Sequence, residues 1–309
     1  MNRITSDQLV KDQGTLSTSI TMQSTLVWVA WISTLLLSKL PLVIARDFWG
    51  TDLPWITPAW IGIAILLFTS TYLWPTLKPL RGYFLMMGVI LLMTFVVDPF
   101  VKQTVVWQNL FAGQSQMVIL LGERVLLVVE TLVVLSILLL IGVRRRDAFL
   151  AVGNLRAPVG GQTSAVKGRT LSWPVFGTGM ALLLAGLFFT FLTSQTAGGM
   201  AMTAAALPWL PLILLSAALN AFSEEVMYRA VPLGMLFPAV GPGHAIWLTS
   251  LWFGLGHYYG GIPSGPVGLV QAGLLALLLG KAMLDTRGLG WSWIIHVSID
   301  TVIYIFIAA

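Results

Sequence analysis

Within an apolar run of the chain lies Ser223-Glu224-Glu225-Val226-Met227-Tyr228-Arg229, two adjacent carboxylates and a guanidinium in a sequence whose charged content is 9%. A charge inside a membrane span costs about 2.5–3.5 kcal/mol on insertion scales, so each is a site candidate unless a partner explains it. Glu225 has a partner at helical spacing: it precedes Arg229 by four residues, on the same face and in the favoured order for an ion pair. Glu224 points about 100° away and has no such partner, so it must look to another helix or to water. Of the three histidines, His257 follows Phe253 by four residues and His296 precedes Asp300 by four, so each pair shares a helix face. A carboxylate within hydrogen-bond reach of an imidazole can take a proton from water, which is the chemistry of hydrolysis.

The elements that carry these groups can bring them to one depth. Glu224 lies 14 residues before Pro238, and His257 lies 14 residues after Gly243, across the turn Phe237-Pro238-Ala239-Val240-Gly241-Pro242-Gly243. Both are therefore about 21 Å from that turn on antiparallel helices. His296 lies about 10 Å beyond the turn at Gly288–Gly290, and the levels agree if the Pro238 turn projects about 10 Å into the cytoplasm. The expectation is a water-filled pocket about a third of the way in from that face.

Composition dictates the setting. The 309 residues are 57% hydrophobic with 13 Trp, and mean hydropathy is +0.88, values of a polytopic membrane protein. Cys is absent, which excludes disulfides, thiolate nucleophiles and Cys-ligated zinc. The net charge of +5 is spread over loops and reads as topology, not as a nucleic-acid footprint. The first 25 residues are polar and lack a cleavable leader pattern. Apolar runs predict an all-α fold of about eight or nine transmembrane helices. The candidates are 26–45, 56–74, 82–97, 124–143, 174–192, 207–236, 244–258, 267–283 and 291–307, with 101–122 interfacial or re-entrant. Arg144, Arg145, Arg146, Arg156, Lys167 and Arg169 mark a basic cytoplasmic linker at 144–173. It divides a four-span region, 1–143, from a five-span region, 174–309. Lys281 and Arg287 fall on the same side, the uncharged 194–206 segment outside, and the N-terminus inside. The expected location is a prokaryotic cytoplasmic membrane.

Glu224-Glu225-x-x-x-Arg229, Phe253-x-x-x-His257 and His296-x-x-x-Asp300, in that order on successive helices, resemble the CPBP family of CAAX prenyl protease 2 and its bacterial Abi relatives. The resemblance covers about 207–304. It implies a glutamate-type intramembrane endopeptidase acting on a peptide or protein, such as a C-terminal tail or peptide precursor, at the membrane lipid. It also implies that Glu224 and His257 hold and deprotonate the attacking water while His296 and Asp300 stabilise the oxyanion. Many relatives have Asn at the position of Asp300, and an ionised carboxylate donates no hydrogen bond. Asp300 is therefore expected to orient His296, which would serve as the donor. Glu225 and Arg229 are read as a supporting pair and Phe253 as packing.

Other readings compete. No His-Glu-x-x-His is present, yet Glu224, His257 and His296 could ligate zinc. A metal-free site is preferred, because a ligating Glu224 would leave no separate base and only His296 has an evident acceptor for its other N–H, in Asp300. No cofactor is expected. A catalytically silent scaffold or immunity protein would keep the same fold. A proton-coupled carrier would need inverted repeats that the sequence does not display. Glu130, alone in an apolar run, stays open between packing and function. Gly254 and Gly256 are expected to admit a neighbouring helix.

Overall fold

The computed structural model describes residues 23–161, 171–196 and 199–308. Among them there are helices and no strand beyond an isolated bridge between Pro158 and Ser172, as backbone in hydrocarbon requires when its polar groups must pair within the segment. The helices are α1 (Gln23–Leu36), α2 (Leu40–Phe48) and α3 (Ile56–Leu73), then α4 (Pro75–Gln103), α5 (Val105–Phe111) and α6 (Gln116–Leu140). After the basic segment come α7 (Trp173–Gln195), α8 (Gly199–Ala206), α9 (Leu210–Glu225), α10 (Val231–Gly256), α11 (Gly265–Thr286) and α12 (Gly290–Ala308).

By length and composition six of the described helical runs can cross a membrane, or seven if α1 and α2 form one span. The exact count of eight or nine is not confirmed. The α6 helix carries Glu123, Arg124 and Glu130, which take it out of the apolar class. The run Gly199–Gly256 counts once although it reverses inside: Gly241 has φ +80°, a conformation that glycine adopts freely, and the adjacent Pro242 has no N–H to continue a helix. The turn expected between Pro238 and Gly243 is at that residue.

Two irregular features position the site. The first is a 52° bend between α1 and α2. Backbone freed there is satisfied by side chains from other helices: Trp60 Nε1 donates to Leu36 O (3.0 Å) and Trp252 Nε1 to Leu37 O (3.2 Å), while Lys39 Nζ donates to Gly256 O (2.8 Å). Unwound backbone at membrane depth is tolerated where protein surrounds it or it lines a cavity. The second is a π-helical turn, Val226–Ala230, immediately after Glu225; such turns recur at functional sites because they re-aim side chains within a continuous helix.

Segment 144–161 is folded against the turns rather than extended. Asn154 N donates to Thr286 O (2.7 Å), Leu289 N to Ala151 O (2.9 Å) and Gly290 N to Val152 O (3.1 Å). A Cβ on Gly288 would lie 2.4 Å from Ala151 O, and one on Gly234 would lie 2.7 Å from Ala148 Cα, so the backbones touch. Lys167 and Arg169 of the expected linker lie outside the described residues. Helix α10 packs on α11 and α9 on α12. Gly254 is where α10 and α11 approach, since a Cβ there would meet Leu269 O at 2.7 Å. Gly256 has open space instead, so only one of the two glycines serves close packing.

Candidate active site

Four helical segments converge on the polar groups. Helix α9 supplies Asn220, Glu224 and Glu225, the π turn Tyr228 and Arg229, α10 Phe253 with His257 at its end, and α12 Ser292, His296 and Asp300. The α9 and α12 groups follow four-residue stripes, Asn220–Glu224 and Ser292–His296–Asp300, which stack along one face of a helix.

The two glutamates occupy different worlds. Glu225 is fully buried and is gripped by Arg229 Nη1 and by Ser292 Oγ, and His296 Nδ1 lies 2.7 Å from its Oε1. Both carboxylate oxygens are thus engaged. Arg229 is 1% exposed, and its guanidinium carbon lies 4.7 Å from the centre of the Phe253 ring, a cation–π contact. Glu224, by contrast, retains 19% side-chain exposure, and among the described residues the one Lys, Arg or His nitrogen within 4.0 Å of it is His296 Nε2, 3.6 Å from Oε2. That separation exceeds a hydrogen bond and leaves room for adjustment.

Glu224, Phe253 and His257 all line two cavities at once. One, of about 230 Å³, is walled by the α1–α2 break, Trp60, Thr94, Tyr228 and Trp252. The other, of about 170 Å³, is walled by Arg124, Asn220, Gln271, His296, Asp300 and Tyr304. His257 ends α10, where its own N–H turns to Gly254 O. The Phe253 carbonyl released by this tightening lies 3.0 Å from His257 Nδ1. A helix end leaves such carbonyls unpaired; a proton on Nδ1 satisfies this one and leaves Nε2 with its lone pair.

All the site residues expected from sequence are brought together, with one change of partner. Asp300 Oδ1 is 3.6 Å from His296 Nε2, whereas Glu225 holds the ring at 2.7 Å. Asp300 is drawn instead to Asn220, whose Nδ2 donates to its Oδ2 (2.9 Å). Phe253 is packing, though packing at the centre, with ring centres 4.4 Å from His257 and 6.4 Å from His296. Asn220 and Ser292 were not singled out by sequence reasoning; each stands one helical turn before a residue that was, and that stripe is the signal that would have found them. His257 also has an acceptor for its second nitrogen, so one sequence argument against zinc does not hold. Among the described residues no three His, Asp or Glu side chains group as metal ligands.

The grip on Glu225 makes a prediction. Removing Arg229 leaves a carboxylate buried without its cation, an error of about 3–5 kcal/mol. Arg229→Ala should lower the melting temperature and the yield of monodisperse protein in detergent, while Glu224→Gln should leave both within a few degrees of wild type. Equal thermal stability of the two variants would contradict the division.

Comparison with known proteins bears on the same segment. Residues 205–302 match a family model described as type II CAAX prenyl endopeptidase Rce1-like. Neither the curated proteins nor the solved structures give a significant match. The matched stretch holds Glu224, Glu225, Arg229, Phe253, His257, His296 and Asp300, so the similarity to the CPBP family, the Rce1-like type II CAAX prenyl endopeptidases, lies in that part of the chain.

Proposed function

We propose that this membrane protein is an endopeptidase that hydrolyses a peptide bond at membrane depth with water activated by Glu224 and His257. The observation that carries the reading is the asymmetry of the two carboxylates: Glu225 is saturated by three donors, and Glu224 stands where the two cavities meet. A substrate lying across both cavities would present its scissile carbonyl at that junction. Water held between the Glu224 carboxylate and the free nitrogen of His257 loses a proton to Glu224 and attacks the carbonyl carbon. The resulting oxyanion accepts a hydrogen bond from His296 Nε2–H, on a ring held by Glu225. Collapse breaks the C–N bond, and the proton carried by Glu224 passes to the leaving amine. Atoms balance: one water is consumed and two chain ends appear.

The family match over 205–302 and the apolar surroundings support a peptide or protein substrate, and a CAAX prenyl endopeptidase is what the family description names. The cytoplasmic placement of segment 144–161 rests on its arginines. Because that segment packs on the α11–α12 turn and on Gly234 of α10, that turn shares its side.

Three measurements test this. Purified wild type incubated with a mixture of quenched-fluorescent peptides should cleave, and Glu224→Gln should be slower by at least about 10²-fold, the range of a general base. Exhaustive treatment with a strong zinc chelator should leave the wild-type rate unchanged; loss restored by stoichiometric zinc would make the site a metallopeptidase. For topology, in this cysteine-free chain a Cys at Ser194 should react with an impermeant maleimide in intact cells and one at Val152 only after lysis. The reverse pattern would invert the orientation.

A further inference from the structure

A cavity of about 1080 Å³ lies away from the candidate active site, between segment 144–161, residues Phe237 and Pro242 of α10 and the end of α11. Small-molecule sites run from ~300 to ~1,000 Å³, so its size suits a ligand. Two cations line it, Arg146 and Arg287, and among the described residues neither has a carboxylate within 4.0 Å. The one acid among the lining residues, Asp285, is already engaged: Gly160 N at 2.7 Å, Lys281 Nζ at 3.0 Å and Trp173 Nε1 at 3.2 Å donate to its Oδ2. The cavity therefore carries positive charge that nothing in its wall answers. Arg287 is held there by an uncommon backbone. It follows the last residue of α11 with φ +57° and ψ +37°, the left-handed conformation that helix ends usually give to glycine because a Cβ is costly in it. Its guanidinium carbon lies 5.6 Å from the centre of the Phe237 ring, which lines the same cavity. Strain of this kind collects at ligand sites.

The planar guanidinium fork pairs bidentately with phosphate, and basic pockets between membrane helices on the cytoplasmic side take anionic headgroups. A soluble phosphoester would offer the same chemistry, so position decides between the two sources. The cavity lies at the ends of membrane helices. Beside it the indole of Trp173, at the start of α7, reaches Asp285, and that of Trp291, at the start of α12, donates to Leu155 O at 2.8 Å. Indoles collect at headgroup level. We propose that Arg146 and Arg287 bind the phosphate of an anionic phospholipid headgroup on the face that carries the arginines. The headgroup bridges segment 144–161 to the end of α11 and fixes one against the other. This site lies outside the hydrolytic machinery and stands whether or not the chain cleaves peptides. Arg144 and Arg145, which are exposed but do not line the cavity, separate a built site from general attraction to an anionic surface.

The test uses the full chain purified in an uncharged detergent and titrated with short-chain phosphatidylglycerol, short-chain phosphatidylcholine or glycerol 3-phosphate. Melting temperature is followed by tryptophan fluorescence, and retained lipid is counted by native mass spectrometry. Wild type should retain phosphatidylglycerol and gain at least about 4 °C at saturation, and gain less than about 1 °C from either other probe. Arg287→Gly should melt within a few degrees of wild type without lipid, because glycine relieves the left-handed backbone as it removes the cation. It should nevertheless lose most of the lipid-induced gain, and the double variant Arg146→Gln, Arg287→Gly should lose all of it. The double variant Arg144→Gln, Arg145→Gln should keep it. Equal gains from the two lipids, a full gain in Arg287→Gly, or a loss in the Arg144 and Arg145 variant as large as in the cavity variant overturns the site. A gain from glycerol 3-phosphate as large as that from phosphatidylglycerol overturns the lipid as its occupant.

Discussion

The structure depends on how one buried carboxylate is satisfied. Glu225 has no water to turn to, so its charge is tolerable only if both oxygens are hydrogen-bonded and a cation is at hand. Arg229 from the following π turn, Ser292 and His296 from α12 meet that demand together. The network thereby ties α9 to α12 at one register. It also consumes the donors that would otherwise neutralise the neighbouring glutamate. Glu224 is left free because Glu225 is not, and a free carboxylate at a cavity junction is what general-base hydrolysis requires.

The part of the chain before the family match is a wall of the site. Leu37, Ser38 and Lys39 at the α1–α2 bend line the larger cavity with Glu224 and His257, and Lys39 caps the end of α10 at Gly256 O, one residue before His257. Arg124 of α6 closes the smaller cavity. Tyr228 reaches Thr94 of α4 through a 3.0 Å hydroxyl pair. A break in a membrane helix is costly in hydrocarbon, and this one faces a cavity that gives the cost a use.

Much of the site was legible from spacing. Four-residue intervals placed Glu225 with Arg229 and Phe253 with His257, and counting residues from the Gly241 turn put Glu224 and His257 at one depth. Periodicity within a helix reports which residues share a face; it carries no information about which face of another helix arrives opposite. For that reason a nearer partner of His296 was missed: Asp300 is its neighbour in sequence and lies 3.6 Å away, while Glu225 arrives from across the helix pair at 2.7 Å and Asn220 also holds Asp300. The π turn was equally invisible, since nothing in Val-Met-Tyr-Arg-Ala signals an inserted residue. Glu130 is 2% exposed, and neither carboxylate oxygen has a hydrogen-bond partner; nothing in the structure explains it.

The central claim is that the enzyme attacks its substrate with water and not with a carboxylate of its own. Rapid-quench single-turnover cleavage in H2¹⁸O with enzyme in excess reads this directly. If Glu224 deprotonates water, the new carboxylate of the product carries one solvent ¹⁸O from the first turnover. Product that first emerges unlabelled would show that an enzyme carboxylate formed a covalent intermediate and surrendered its own oxygen, which would contradict a general-base role for Glu224.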